Sequence, residues 1–428
     1  LNGLVDDNMR LIQTVLFSFF LVFNLEASPS LHFLTEAAEE LMQQSKSLRL
    51  EPHLREDEEL LRQTLLLEQL IKNVPDYGDH ESLEQALDLL LRKEMNLVDF
   101  ILVNSKTTEF CGRSRDEVFF VQDAEGVTLY VAKAFIEPGS IKGRFFPELS
   151  AMALLRDREM KTFKGVNPLI VGKCHWKGKN YGLLVEIVAP GIRMDKCVEK
   201  IAANPKYSID RKLEMEKAIH LCECFGQSIA ELHEVHENLS TGLSKDALKR
   251  IRRKVEKLFD ERVKSFLEGK IDVNALTSLV DRLYREAIAS PFVPCYQHGD
   301  LNLNNVFFDE SSGLITAIDV HRMHRSIDIN GNPLSDGVYD LIHIKESLIH
   351  HLLGYLTDEE ISLLIDAIFR KDLNLERFFN EPLVLFYTVC IRLAKMIACV
   401  NFNELHIKKE RRRLIFERHL QYLKMILD

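Results

Sequence analysis

Apolar positions fall into three regimes along the chain. Between residues 11 and 25 they run almost unbroken (LIQTVLFSFFLVFNL). From Leu34 to Leu97 they recur near 3.6 residues, as in Leu60, Leu61, Leu65 and again in Leu83, Ala86, Leu87, Leu90 and Leu91, which predicts helices punctuated at Pro52 and at Pro75-Asp76-Tyr77-Gly78. After about Phe100 strand signals take over. Val118–Val121, a turn at Asp123–Gly126 and Val127–Phe135 predict a β-hairpin. A helix opens at Pro147-Glu148, where Pro suits the first helical position and Glu the first turn. Leu169–Val171 and Tyr181–Val188 read as two more strands, and Pro190-Gly191 ends the region. Beyond Asp195 the pattern is helical to the end, with one stripe through Ile219, Cys222, Phe225, Ile229 and Leu232 and one β-like island from about Val306 to Val320. Strands first and helices second predict a two-lobed α+β architecture: an acidic helical segment, a small β-rich lobe and a larger helical lobe.

Composition narrows the function classes. A chain of 428 residues is long for one core. Its net charge of −10 argues against nucleic acid, whose phosphates need surplus Lys and Arg. The eight Cys form no CxxC and no Cys/His pairing, so a zinc site or a disulfide framework is not expected, and they read as small buried thiols. Residues 28–100 hold 16 acidic and 7 basic side chains, a balance of −9, and so carry nearly all the net charge. That shift marks a boundary and offers a surface for a protein partner, or an extension packed on the next domain. The expected organisation is 1–27, 28–100, 101–190 and 191–428.

Met9-Arg10, the apolar run and then Ala27-Ser28 have the outline of a secretory signal, or else form a buried first helix. The run is short beside the roughly 20 residues of a bilayer span. The expectation is a leader that exports the protein and leaves no stable membrane span once removed. A cytoplasmic, unprocessed chain is the alternative.

The chemistry lies in Gln297-His298-Gly299-Asp300 through Asn305, followed by two short apolar strands joined at Asp309–Gly313 and ending in Ile318-Asp319. An antiparallel hairpin of that register would bring Asn305 and Asp319 to one open end, with Asp300 in the loop before it. An Asp can accept a hydroxyl proton while an amide oxygen and a carboxylate hold Mg²⁺, which is a phosphoryl-transfer set for ATP. His298 is expected to orient the loop. Upstream, Lys133 ends Val131-Ala132-Lys133 in a hairpin strand, as expected of a lysine that contacts phosphates, and Glu148 follows fifteen residues later as its ion-pair partner. Asn104–Gly112, with a single Gly, is a weak candidate for the phosphate-covering loop. The run Lys408–Arg413 reads as a solvated helix face.

These residues resemble the aminoglycoside phosphotransferase and choline kinase superfamily, of protein-kinase-like fold, whose core loop reads HGDxxxxN before a strand ending in Ile-Asp. Gly226–His236 is similar to a helix that such enzymes carry upstream, Glu186-Ile187-Val188-Ala189 to their inter-lobe linker, and Tyr339-Asp340-Leu341 to a feature after the metal-binding Asp. The resemblance spans about Asn104 to Ala398. It implies Asp300 as catalytic base, Asn305 and Asp319 as Mg²⁺ ligands, Lys133 on the ATP phosphates with Glu148 as partner, and the backbone around Glu186 and Val188 against adenine. The sequence departs from the family at Asn302-Leu303-Asn304 and at Val320-His321-Arg322, the latter similar to lipopolysaccharide-core kinases.

The expected function is ATP- and Mg²⁺-dependent phosphorylation of a hydroxyl on a small molecule. Asp336, Asp340, Glu346, Asp358, Glu359 and Glu360 are candidate contacts to a cationic or polyhydroxy substrate. The alternatives are an exported effector kinase acting on a host target and a catalytically silent nucleotide-binding scaffold.

Overall fold

The structure is a computed structural model that describes residues 71–107 except 73, 116–138, 144–157, 160–205, 208–234, 267–290, 294–326, 335–371, 381–401 and 409–427, with 248, 251–253 and 333. The expected leader (1–27), the acidic segment up to residue 70 and residues 108–112 of the candidate phosphate-covering loop lie outside the described residues.

In chain order the strands are β1 (Asp76–Asp79), β2 (Ile101–Asn104), β3 (Glu117–Gln122), β4 (Thr128–Ile136), β5 (Phe163–Gly165), β6 (Pro168–Trp176), β7 (Lys179–Ile187), β8 (Ile192–Arg193), β9 (Val306–Asp309) and β10 (Leu314–Ala317). The helices are α1 (Leu83–Met95), α2 (Phe145–Asp157), α3 (Met194–Ala203), α4 (Ile209–Leu232), α5 (Val273–Ala289), α6 (Val338–Leu352), α7 (Asp358–Lys371), α8 (Glu381–Asn401) and α9 (Lys409–Leu427). This is the expected α+β class, a β-sheet region followed by a helical region. The described chain forms two compact units. The first takes the described residues through Met160, then Lys164–Pro190 and 316–326; the second takes Lys161–Phe163, those from Gly191 to Ile315 and those from 333 onward.

The first unit is built on a six-stranded sheet in the order β1-β6-β7-β4-β3-β2, parallel at β1–β6 and antiparallel elsewhere. The predicted hairpin is β3–β4, with Phe120 opposite Val131 and a turn closed by the amide of Gly126 on the carbonyl of Asp123. One sheet face packs α1: Leu83, Ala86, Leu87, Leu90 and Leu91 meet Phe119, Val121, Ala132, Ala134, Leu183 and Val185 in one core. The Ser82 side chain caps that helix, and Asn96, with φ 53°, ends it in the left-handed conformation that Asn tolerates. Gly172 on β6 lets α1 and β1 close in, since a Cβ there would lie 2.6 Å from Leu90 and 2.7 Å from Tyr77.

The sheet therefore begins at β1, upstream of the residue 101 where the change of periodicity put it. Asp-Tyr-Gly-Asp is too short and polar to show alternation, and it buries only Tyr77. Pairing with β6 makes it a strand, which no local pattern encodes.

In the second unit a buried core joins α5, α6, α8 and α9 around Leu276, Leu283, Tyr339, Phe386 and Tyr387. Helix α4 packs against α7 at Gly226, where a Cβ would fall 2.1 Å from the carbonyl oxygen of Ile368. Strand β8 pairs antiparallel with β9, Ile192 opposite Phe308. Gly191, at φ 87°, precedes β8 where a Cβ would meet the Phe308 carbonyl oxygen at 2.0 Å. Near the end of α4, Glu231 accepts the amides of Lys161, Thr162 and Phe163 and the Thr162 hydroxyl, fixing that crossing segment. The basic run at the start of α9 is not wholly a solvated face, because Arg411 donates to the carbonyls of His350, His351 and Leu353 and so satisfies the end of α6. Among the described residues no helix is long and apolar enough to cross a membrane.

Candidate functional site

Lys133 sits within β4, opposite Val118 of β3 and Leu184 of β7. Because side chains alternate along a strand, Ala132 and Ala134 face α1 while Val131 and Lys133 face away. Glu186, opposite Val131, shares that second face. Helix α2 covers it: Gly182 of β7 stands where a Cβ would press on the Phe145 ring at 2.7 Å. One turn into α2, Glu148 is buried.

Three carboxylates surround the one ammonium. Lys133 Nζ lies 3.0 Å from Glu186 Oε1, 3.2 Å from Glu148 Oε1 and 3.3 Å from Asp319 Oδ1. Burial alone would pull Lys133 down, but Glu186, Glu148 and Asp319 outweigh it and hold the ammonium well above the ordinary lysine range. Glu148 is the carboxylate best served. Its Oε2 accepts the His321 amide at 2.8 Å, and against the upward push of burial Lys133 and His321 keep it well below the usual carboxylate range. Glu186 is the surplus one. Burial pushes it up to about 7, Lys133 offsets that only in part, and Glu148 adds to the rise.

The expected pairing of Lys133 with Glu148 is thus present. Glu186 lies in β7, as the predicted strand Tyr181–Val188 has it, and its carboxylate turns onto Lys133. Val188 is the first residue beyond the strand. The clue was a lone charge inside the apolar run Leu183-Leu184-Val185-Glu186-Ile187-Val188, on a strand paired to the one bearing Lys133. Asp319 follows β10 with φ 55° and a half-exposed side chain.

In the second unit the loop from Gln297 to Asn305 is held from behind by α6. Asp340, in the first turn of that helix, accepts the amides of His298 at 2.7 Å and Gly299 at 2.9 Å, while the His233 ring stands 3.4 Å from the same carboxylate. Gly337 leaves room for that ring, since a Cβ would approach its Nδ1 to 2.7 Å. Asp336 accepts the Tyr387 hydroxyl at 2.7 Å on its carboxylate, and its backbone carbonyl accepts Gln297 Nε2 at 3.1 Å. Gly299 turns the chain with φ 78°. His298 takes the Asp300 amide on Nδ1 at 3.2 Å, the orienting bond expected of it.

Past the turn, two of the three asparagine side chains fold back on Asp300: Asn302 Nδ2 and Asn305 Nδ2 donate to its carbonyl at 3.1 and 3.0 Å. Ser347 accepts the Leu303 amide. His343 of α6, which the sequence reading passed over, has Nδ1 3.0 Å from the Leu301 carbonyl oxygen and Nε2 3.8 Å from Asp300 Oδ1. A histidine one turn beyond Asp340 on the same helix face was the available signal.

Five of the six acidic residues suggested for substrate recognition have partners within the second unit. Besides Asp336 and Asp340, Glu346 faces Arg392 at 2.9 Å, Glu360 holds Arg211 in a forked pair, and Asp358 meets Arg418 at 3.1 Å. No spacing in the sequence distinguishes such partners from substrate contacts.

The donor chemistry suits a hard cation. Mg²⁺ takes oxygen ligands, commonly one or two from protein with the rest from water and substrate phosphates. Asn305 spends its Nδ2 on the loop, which leaves Oδ1 as the oxygen it could offer; in the first unit, the half-exposed Asp319 carboxylate offers oxygens of its own. Among the described residues no group of three or more His, Cys, Asp or Glu side chains forms a self-sufficient metal site.

No protein-family model matches the chain, and no curated protein sequence matches it. Among solved structures it is similar to an aminoglycoside-3'-phosphotransferase of type VIII, at 15% identity over 73% of this chain and 100% of that one with a TM-score of 0.45. It is also similar to an ethanolamine kinase of Plasmodium vivax, at 14% identity over 89% and 98% of the two chains with a TM-score of 0.45. A glucosamine kinase is similar at 12% identity over 80% and 84%, again with a TM-score of 0.45.

Proposed function

We propose that the chain is a phosphotransferase that moves the γ-phosphoryl group of ATP, with Mg²⁺, onto a hydroxyl of a small molecule. The observation that carries this reading is the loop around Asp300: Asp340 ties its amides, Asn305 braces its backbone, and the Asp300 carboxylate is left partly exposed on a fixed support. An acid so presented can accept a proton without the loop having to reorganise.

In this reading an Asp300 carboxylate oxygen accepts the acceptor's hydroxyl proton as the hydroxyl oxygen bonds to the γ-phosphorus. The bond from that phosphorus to the β–γ bridging oxygen breaks, and ADP leaves. Lys133 holds the phosphates and Glu148 holds Lys133. Asn305 Oδ1 and Asp319 would hold Mg²⁺, which when bound neutralises charge on the β- and γ-phosphates.

The test is transfer of label from ATP, with Mg²⁺, into a metabolite extract, run with wild type and Asp300→Ala. Labelled small-molecule products with wild type alone support the reading. Equal labelling by both variants, or none by either, overturns it.

A further inference from the structure

The Lys133 cluster is short of positive charge before any ligand arrives. One ammonium serves three carboxylates, and of these Glu148 and Glu186 are 1% and 2% exposed. Glu148 has both oxygens engaged, one by Lys133 and the other by the His321 amide, with the His321 ring 3.5 Å away. Asp319 reaches solvent. Glu186 alone keeps a buried oxygen, Oε2, with no hydrogen-bond partner.

The charged groups facing Glu186 within the first unit are Lys133 from β4, Glu148 from α2 and Asp319 from the stretch after β10, with His321 behind Glu148. Strand β6, on the other side of β7, brings Pro168 opposite it. A cation on Asp319 would take that carboxylate out of the balance and still leave two buried carboxylates on one lysine. A triphosphate with its Mg²⁺ still adds about two negative charges in total and draws on the same ammonium. A buried carboxylate that loses its counter-ion is far cheaper to protonate than to leave charged.

We propose that this site takes up a proton together with the nucleoside triphosphate, and that Glu186 is the carboxyl that holds it. The inference rests on the reading of Lys133 as the phosphate-binding lysine. The proton comes from solvent onto a Glu186 oxygen as Lys133 turns to phosphate, and no covalent bond other than that O–H is made. Glu186 is the carboxyl disposed to take it, because it is buried and its Oε2 has no hydrogen-bond partner.

The test is calorimetric titration of the full chain with the non-hydrolysable β,γ-imido analogue of ATP and Mg²⁺ at pH 8, in buffers of different ionisation heat. At that pH the ligand phosphates contribute little uptake of their own. Wild type is expected to take up about one proton, and its affinity to fall about tenfold per pH unit over the range where uptake is complete. Glu186→Gln, which keeps shape and removes the titrating group, is expected to show no uptake and a flat affinity. Binding by wild type without uptake overturns the proposal, as does equal uptake by Glu186→Gln. If neither variant binds the analogue, the nucleotide reading itself fails and the proton site with it. The wild-type buffer dependence decides the matter even if the variant folds poorly.

Discussion

Lys133 and Glu186 stand diagonally across the β4–β7 pair, 3.0 Å apart and both buried, in a cluster where that lysine already serves Glu148. The lysine is therefore a structural keystone as well as a candidate ligand contact. Lys133→Ala should destabilise the protein by about 3–5 kcal/mol, because it strands two buried carboxylates. Adding Glu186→Gln should recover part of that loss. Urea denaturation of the single and double variants measures both, and an additive or worse double variant would contradict this account.

Glu186 also fixes a pH dependence. Its folded-state pKa, raised from an ordinary 4.5 to about 7, means that the folded chain holds a proton the unfolded chain has lost. Its contribution to stability is full below about 4.5 and is lost as pH rises through about 7. Glu186→Gln should therefore gain on wild type by about 2–3 kcal/mol between pH 5 and pH 8. Glu148 has the opposite sign, with stability present above the ordinary carboxylate range and lost in strong acid. Unfolding of Glu186→Gln and wild type at both pH values reads the difference directly.

His419 of α9 is fully buried with neither ring nitrogen hydrogen-bonded, and burial, aided by Arg392 and Lys395, holds its pKa down at about 3. The unfolded chain takes a proton there below about 6.5, so stability present above that pH is lost as the medium turns acid. His419→Leu should be stabilising by about 1 kcal/mol at pH 7, since it removes an unsatisfied polar group. Its advantage should grow by about 2 kcal/mol at pH 5. Parallel thermal or urea unfolding curves for the two proteins at both pH values would count against this.

Asp300→Asn should lower kcat by about 10²–10⁴-fold while leaving the unfolding midpoint within experimental error, because the bonds that shape the loop run through its backbone and through Asp340. Asp340→Asn should do the converse, lowering the midpoint along with activity. Far-ultraviolet circular dichroism melts beside steady-state rates separate the two.

Gly226→Ala should be strongly destabilising, by about 3 kcal/mol or more, since its methyl group would overlap the Ile368 carbonyl and force α4 from α7. Gly313→Ala tests the opposite situation: nothing lies within 4 Å of a Cβ there, and the loss comes from its φ of 70° alone, about 1 kcal/mol.

What could be read in the sequence was what local pattern encodes. The β3–β4 hairpin, the β6 and β7 strands, helix α2 and the β9–β10 island follow from alternation, turn residues and first-turn chemistry, and the structure extends them by a few residues at most ends. The Lys133–Glu148 pair was legible because order and spacing carry it. Strand β1 was not, since partner strands make it. The strand that carries Glu186 was legible, but the contact of its carboxylate with Lys133 was not, because strand pairing alone brings the two together. The roles of Asp336, Asp340, Glu346 and Glu231 were hidden for the same reason: each is defined by what stands across from it in space, at separations of 39 to 70 residues for the loop and segment contacts.

Asp319 occupies left-handed backbone, at φ 55°, which Asp and Asn accept more readily than other side-chain-bearing residues. An alanine scan would mix two effects at this position, removing the carboxylate while charging the chain about 1–2 kcal/mol for its twist. Asparagine is the informative replacement, because it isolates electrostatics from conformation. Glycine serves as its counterpart, freeing the backbone and deleting the side chain in one step.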